Sequence, residues 1–259
     1  MSFFDTHAHL DQEEFDSDRD AVIDRAAAAG VETIVAVGVT APSSAAIVEL
    51  AAQHAGVYAA VGIQPNYTAQ AQTGDWDRIL QLAAHPKVVA IGETGLDRHW
   101  DYSPLDVQRD YFDRHLRLSQ ALGLPFIVHT RESDADVLDM LREAHRRGLL
   151  KGIMHSFTGT AETAAECVRL GLHISFAGMV TFKKSVELRS VAVTIPDERI
   201  LIETDSPYLS PQPLRGKRNE PSYLIHTAAC LAEARGQTPE RFAELTTQNA
   251  LRLFRLDVA

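Results

Sequence analysis

Apolar, β-branched runs recur along the chain at 3–9, 33–37, 58–63, 88–92, 126–129, 152–155, 173–176 and 200–204. Between them the apolar positions switch to helical spacing. Short runs rich in Val, Ile and Phe read as strands, whereas apolar residues three and four apart read as one face of a helix. The stretch 105–122 is an example of the second kind. Tyr111, Phe112, His115, Leu116, Ser119 and Leu122 fall on one face, and Arg109, Asp110, Asp113, Arg114 and Arg117 on the other. Acid-to-base pairs four apart on that polar face add local support. Helix ends are marked by Gly30 and Gly123 as C-terminal stops, and by Thr238 and Pro239 as an N-cap followed by proline. The pattern predicts eight strands, each followed by a helix or a helix-sized segment, and an additional helix over 239–254.

Eight such units in 259 residues match an α/β fold, the (β/α)8 TIM barrel, with an additional C-terminal helix. No Gly/Ser linker, low-complexity tract or repeat marks a boundary, so one barrel is expected over residues 1–259. A doubly wound open sheet would usually carry a Gly-rich phosphate loop after its first strand, and "DTHAHLDQ" is nothing of the kind.

Composition narrows the class. A hydrophobic fraction of 45% is enough for a sizeable core. The formal charge of −10 excludes a protein that coats nucleic acid by bulk electrostatics, but leaves room for one that grips phosphates locally. Cys167 and Cys230 match no metal or redox spacing and read as reduced thiols of a cytoplasmic protein. The N-terminus lacks the pattern of a signal peptide, and no apolar run approaches the roughly 20 residues of a membrane span.

The barrel makes a demand on the chemistry, because active sites on this fold lie at the C-terminal ends of the strands. His7 and His9 end the first strand, with Asp5 on the same face by period-2 alternation. Glu93 ends the fourth, His129 the fifth, His155 the sixth and Asp205 the eighth. A lone histidine is more often structural than a ligand, and His115, His145 and most of the other histidines fit that description. Six ligand-type residues in five separate segments at one structural level do not. Four imidazoles and two carboxylates exceed one tetrahedral site and suit two divalent ions. Asp5 is expected to orient a histidine from outside the ligand set, and Glu203 to lie beside or within it. Cations follow on the loops: Arg131, Lys183, Lys184, and then Arg215, Lys217 and Arg218 with Asn219 after the eighth strand. Such a run is usually a solvated face; beside a two-metal site it points to a phosphorylated substrate.

At these residues the chain resembles the TatD-like metal-dependent deoxyribonucleases, within the amidohydrolase-type barrels. The likeness runs nearly end to end, through "DTHAHLD", "IGETGLDRHWD", "QRDYFDRHLRLSQALGLPFIVHTRE", "HSFTG", "ISFAGMVTFKK", "LIETDSPYLSP", "RGKRNEPSYL" and "TTQNALRLF". It implies metal ligation by His7, His9, Glu93, His129, His155 and Asp205, with Glu93 as the bridging carboxylate. It also implies 3′ exonucleolytic trimming of DNA in repair or degradation. One departure stands out. Where the family commonly has G-x-H-P, this chain reads "GIQPN", with Gln64 in the histidine position. Gln cannot become cationic or act as a general acid; Arg131 or Asn66 is the expected substitute.

The resulting expectation is a monomeric phosphodiesterase that uses two divalent ions, Mg²⁺ or Mn²⁺ in function, with Zn²⁺ or Ni²⁺ as other ions such a site accepts. Asp205 is its general base, and Arg131, Arg215, Lys217 and Arg218 hold the backbone of DNA with single-stranded or frayed ends, without reading bases. The alternatives are a hydrolase of a small amide, ester or lactone on the same centre, and a non-catalytic barrel. The basic loop argues against the first, and the intact ligand set against the second.

Overall fold

The structure is a computed structural model and describes residues 1–256. Eight strands form one sheet in strict sequence order, every neighbouring pair parallel: β1 (Phe3–Ala8), β2 (Val31–Val37), β3 (Val57–Val61), β4 (Val88–Asp97), β5 (Phe126–Arg131), β6 (Gly152–Met154), β7 (Leu172–Phe176) and β8 (Ile200–Ile202). Between them lie α1 (Arg19–Ala28), α2 (Ala41–Gln53), α3 (Asp75–Leu82), α4 (Leu105–Leu122), α5 (Asp134–Arg147), α6 (Ala161–Arg169) and α7 (Val186–Thr194). Two more helices, α8 (Leu224–Ala234) and α9 (Pro239–Phe254), follow β8. The predicted caps are present. The Thr238 hydroxyl accepts from Arg241 N, and Gly123 ends α4 with φ +67°, a conformation glycine adopts without strain.

The wall closes where β8 meets β1. Asp205 N donates to His7 O at 2.9 Å, His9 N donates to Ser206 O at 2.8 Å, and Ala8 bridges Ser206. The Asp5 carboxylate adds to this seam, accepting from Thr204 N (2.9 Å) and Thr204 Oγ (2.6 Å).

The apolar core has two parts. One lies between the strands and the surrounding helices. The other fills the inside of the barrel: Phe4, Val35, Val37, Ala60, Val89, Ile127, Ile153 and Leu201 meet Ala250, Leu253 and Phe254 of α9. The rings of Phe4 and Phe254 stack at 5.5 Å, so α9 plugs the end of the barrel where the strands begin. In α4 the predicted face is buried at Phe112, His115, Leu116 and Ser119, whereas Leu122, in the last turn, is 46% exposed.

Two irregularities sit close to the chemistry. The β1–β2 register shifts between Asp5 and Ala8, and the β4–β5 register shifts between Ile91 and Thr94. A bulge inserts a residue and re-aims the side chains beyond it. The first shift breaks the alternation expected to align Asp5 with His7 and His9. The second carries Glu93 within β4, which continues to Asp97 rather than ending at the glutamate.

Candidate metal centre

Glu93 is the hub of the site. Its Oε2 lies 3.6 Å from both His7 Nε2 and His9 Nε2, while its Oε1 lies 2.9 Å from His129 Nδ1 and 3.3 Å from His155 Nε2. Asp205 approaches the first pair from beyond β8, its Oδ1 3.7 Å from His7 Nε2 and 3.4 Å from His9 Nε2. The two Nε2 atoms are themselves 3.1 Å apart, and the His7 ring stacks on His155 at 4.1 Å. The structure thus brings together all six residues expected from the strand ends, in two groups that share one carboxylate.

Outer contacts decide how three of the rings face. The His9 Nδ1 proton goes to the Val37 carbonyl (3.1 Å), that of His155 Nδ1 to Glu203 Oε1 (3.2 Å), and that of His129 Nε2 to Asp97 Oδ2 (2.8 Å). A carbonyl or a carboxylate only accepts, so each neutral ring turns its remaining lone pair toward the Glu93–Asp205 cluster. Glu203 therefore lies outside the donor set and braces His155, helped by the Ser156 N–H at 2.6 Å. Asp5 does not reach an imidazole. Beyond the bulge its carboxylate takes the His7 backbone N–H (3.3 Å) and the Thr204 groups, and His7 Nδ1 is buried without a partner.

Lone pairs facing carboxylates need positive charge between them. Burial presses His9 down, yet Asp205 and Glu93 beside it hold it up at about 9. Burial likewise opposes charge on His155, but Glu93 and Glu203 raise it well above the usual imidazole range. Glu93 is held well below the carboxylate range, against its burial, by His155 and His129. A cation meets the same need. Donors about 2.0–2.1 Å from a shared ion stand roughly 3.3 Å apart at tetrahedral corners. The five measured separations among His7, His9, Glu93 Oε2 and Asp205 run from 3.1 to 3.7 Å. The donor set fits divalent metal.

The site opens into a cleft of about 830 Å³ whose lining includes Gln64, Asn66, Tyr67, Trp100, Arg131 and Tyr208. Here the expectation for the basic loop is corrected. Arg218 turns away: its guanidinium forks onto the Asp18 carboxylate (2.7 and 2.8 Å), donates to Glu14 O and covers the Phe15 ring, which fixes it on the outside of the barrel. Asn219 is buried, and its amide nitrogen serves Thr204 O and Tyr208 O, shaping the turn after β8. Arg215 and Lys217 are exposed beyond the cleft lining, with Arg215 lying over Phe182 at 4.5 Å. Arg131 is the cation at the mouth.

Residues 4–255 match the TatD related DNase family. The chain is 46% identical to the "Uncharacterized metal-dependent hydrolase YabD" of Bacillus subtilis, over 98% of this chain and 99% of that one. The chain belongs to the TatD family. Among its TatD relatives is the "3'-5' ssDNA/RNA exonuclease TatD" of Citrobacter koseri, 38% identical over 97% of this chain and 98% of the relative. The crystal structure of YJJV, a TatD homolog from Escherichia coli K12, superposes with a TM-score of 0.92 at 30% identity, covering 98% of both chains. The protein is accordingly a TatD-family metal-dependent hydrolase on a TIM barrel.

Against that family pattern, Gln64 keeps its place on the rim. Its Oε1 accepts from Asn66 N at 2.8 Å and opens the short turn that follows β3, while Asn66 Nδ2 donates to Asp97 Oδ2 at 3.1 Å. Asp97, absent from the expected site residues, stands four residues after Glu93 in the same strand. Its carboxylate accepts from His129, Asn66, and the N–H groups of His99 and Trp100, and these donors outweigh burial and hold it down at about 2.

Proposed function

We propose that this TatD-family protein is a divalent-metal-dependent deoxyribonuclease, trimming DNA from a 3′ end during repair or degradation, and acting as a monomer in the cytoplasm. The observation that carries the reading is the division of histidines between the two oxygens of Glu93. Its Oε2 faces His7 and His9, which Asp205 also approaches, and its Oε1 faces His129 and His155. Two ions sharing a carboxylate are the arrangement that clamps both the attacking and the leaving oxygen of a phosphodiester. The Citrobacter koseri relative, a 3'-5' ssDNA/RNA exonuclease by name, supports direction and substrate. Two free cysteines suit a reducing compartment, and among the described residues no helix is long and apolar enough to cross a membrane.

His7, His9, Glu93 and Asp205 would hold one ion, and Glu93, His129 and His155 the other; Mg²⁺ or Mn²⁺ is the working metal, and Zn²⁺ or Ni²⁺ is accepted by the same donors. When bound, the ions supply an acidified water and neutralise charge that builds on the phosphoryl oxygens. Asp205 accepts the proton of the attacking water. Its side chain is 13% exposed, and burial notwithstanding, His9 keeps it ionised. Arg131, which has no ion pair among the described residues, offers its forked N–H groups to a phosphate oxygen. Gln64 and Asn66 stand on the same rim as neutral donors, so neither takes part in proton transfer.

The test is to follow end-labelled single- and double-stranded DNA with Mg²⁺ or Mn²⁺, an EDTA control and Asp205→Asn. Metal-dependent shortening from the 3′ end that the variant loses is expected. No cleavage, or full activity in the variant, overturns the reading. A second reading, hydrolysis of a small amide, ester or lactone, has one observation in its favour: the basic loop after β8 lies outside the cleft. Turnover of such substrates by a protein inert on DNA would establish it.

A further inference from the structure

Nearly all the phenylalanines of this protein are buried in its core, whereas its tyrosines and tryptophans are not. Among the described residues four Phe, Tyr or Trp side chains remain exposed: Tyr67, Trp100, Tyr102 and Tyr208. All four line the same cleft. Exposed aromatic surface gathered at one place marks a binding site rather than chance.

The group is built, not loose. Trp100 and Tyr102 stand with parallel rings, 5.4 Å apart and 8° from coplanar orientation, and the Arg131 guanidinium lies over Trp100 at 5.5 Å. The turn that presents them is set by Asp97, whose Oδ1 accepts from His99 N (2.9 Å) and Trp100 N (3.1 Å). Gln108 ties the same turn from behind, through Asp97 N, Asp97 O and Ser103 O. Ser103 Oγ in turn accepts from Ala69 N, beside Tyr67, at 3.0 Å. One carboxylate, Asp97, therefore positions both the aromatic turn and His129 of the metal centre.

Beyond the cleft lining the chemistry changes. The loops after β7 and β8 carry Lys183, Lys184, Arg215 and Lys217, all exposed and without an ion pair among the described residues. In a chain of formal charge −10, unneutralised cations beyond the lining of a cleft that carries flat rings fit a strand with its terminal bases in the cleft and its phosphates continuing past it.

We propose that Trp100 and Tyr102, flanked by Tyr67 and Arg131, form a stacking platform for the unpaired terminal bases of a single-stranded polynucleotide. This rests on the nuclease reading and goes beyond it, because it assigns the choice between frayed and paired ends to named residues. Every base has a π-face, so stacking tolerates any sequence, while a base still paired in a duplex has both faces covered and cannot use the platform. Cleavage then depends on whether an end is unpaired and little on which base it bears.

Only two tryptophans are present, and Trp76 packs against Tyr111 and His115 away from the cleft. A Trp76→Phe variant leaves Trp100 as the sole indole. In stopped-flow mixing before turnover, a short oligothymidylate should quench Trp100 fluorescence; the same strand with abasic terminal nucleotides should need about tenfold more to do so, and a blunt duplex should not quench. In steady state, Trp100→Ala should raise KM for the oligothymidylate about tenfold with little change in kcat, leave KM for the abasic-ended strand unchanged, and be largely rescued by Trp100→Phe. Absence of quenching by a strand that the enzyme does degrade, or equal KM rises on both strands, overturns the platform. Quenching without cleavage upholds the platform and overturns the nuclease reading instead.

Discussion

Asp97 accepts the Nε2 proton of His129 at 2.8 Å, and this single bond decides which nitrogen of that ring faces Glu93. The carboxylate is itself fixed by Asn66 Nδ2 and by two backbone N–H groups, so the ring is held from a rigid support.

Replacing Asp97 with Asn should therefore weaken metal binding without emptying the site. Second-layer partners of this kind are worth about 10–100-fold in metal affinity or activity. Calorimetric titration with Mn²⁺ is the direct check, and the metal-induced rise in thermal midpoint should shrink in parallel, since a ligand that binds only the folded state stabilises it by mass action. EDTA should abolish that rise in the wild type. Unchanged affinity in Asp97→Asn would remove Asp97 from the centre.

Two of the arginines expected on the substrate, Arg131 and Arg218, should behave differently. Arg131→Ala should raise KM for DNA, because its guanidinium lines the cleft. Arg218→Ala should leave KM alone and lower the thermal midpoint, because its fork onto Asp18 pins the loop after β8 to the entry of α1. Kinetics and melting curves on the two variants separate the roles. A KM effect at Arg218 would return that residue to the substrate path.

Phe254→Ala should destabilise the protein by about 3–5 kcal/mol, the usual cost of deleting a buried phenyl ring. The ring is 3% exposed and stacks on Phe4 inside the barrel. Urea unfolding measures the loss. At temperatures where the variant stays folded, kcat should be unchanged, since α9 closes the end of the barrel opposite the cleft.

His115 supplies a pH signature. Burial pushes it down to about 4, below its ordinary 6.5, while its Nε2 accepts from Ile63 N and its Nδ1 donates to Tyr111 O. Between those two values the unfolded chain binds a proton that the folded protein refuses. Its contribution is thus fully present above pH 6.5 and is lost as pH falls toward 4, on the order of 3 kcal/mol across the window. His115→Gln should flatten this part of the stability profile relative to wild type in urea titrations from neutral pH to about pH 4.5. Parallel profiles would mean that His115 is charged in the folded state.

Strands and the cluster around Glu93 were legible for the same reason: β-branched runs mark the strands, and the fold gathers side chains where those runs stop. All six residues of the cluster came from that register. What escaped depends on partners far away in sequence. Asp5 looked like a companion of His7 by alternation, but a bulge breaks the period and its acceptor role goes to Thr204, 199 residues later. Arg218 looked like part of a phosphate-binding run, yet Asp18, 200 residues earlier, captures it. Side-chain pairing between remote segments leaves no local trace. Asp97 is a different case. It lies within the same strand as Glu93, at an even spacing, and that spacing was signal enough to include it.

The seam between β1 and β8 has a consequence for the life of the chain. His7 and His9 are made first, and Asp205 arrives with the last strand, bonded by its own N–H to His7 O. A nascent chain still on the ribosome holds imidazoles but lacks the aspartate and the strand that shuts the wall. A copy that stops short of β8 therefore lacks both Asp205 and the closing seam, and its metal-dependent hydrolase chemistry waits on the arrival of that strand.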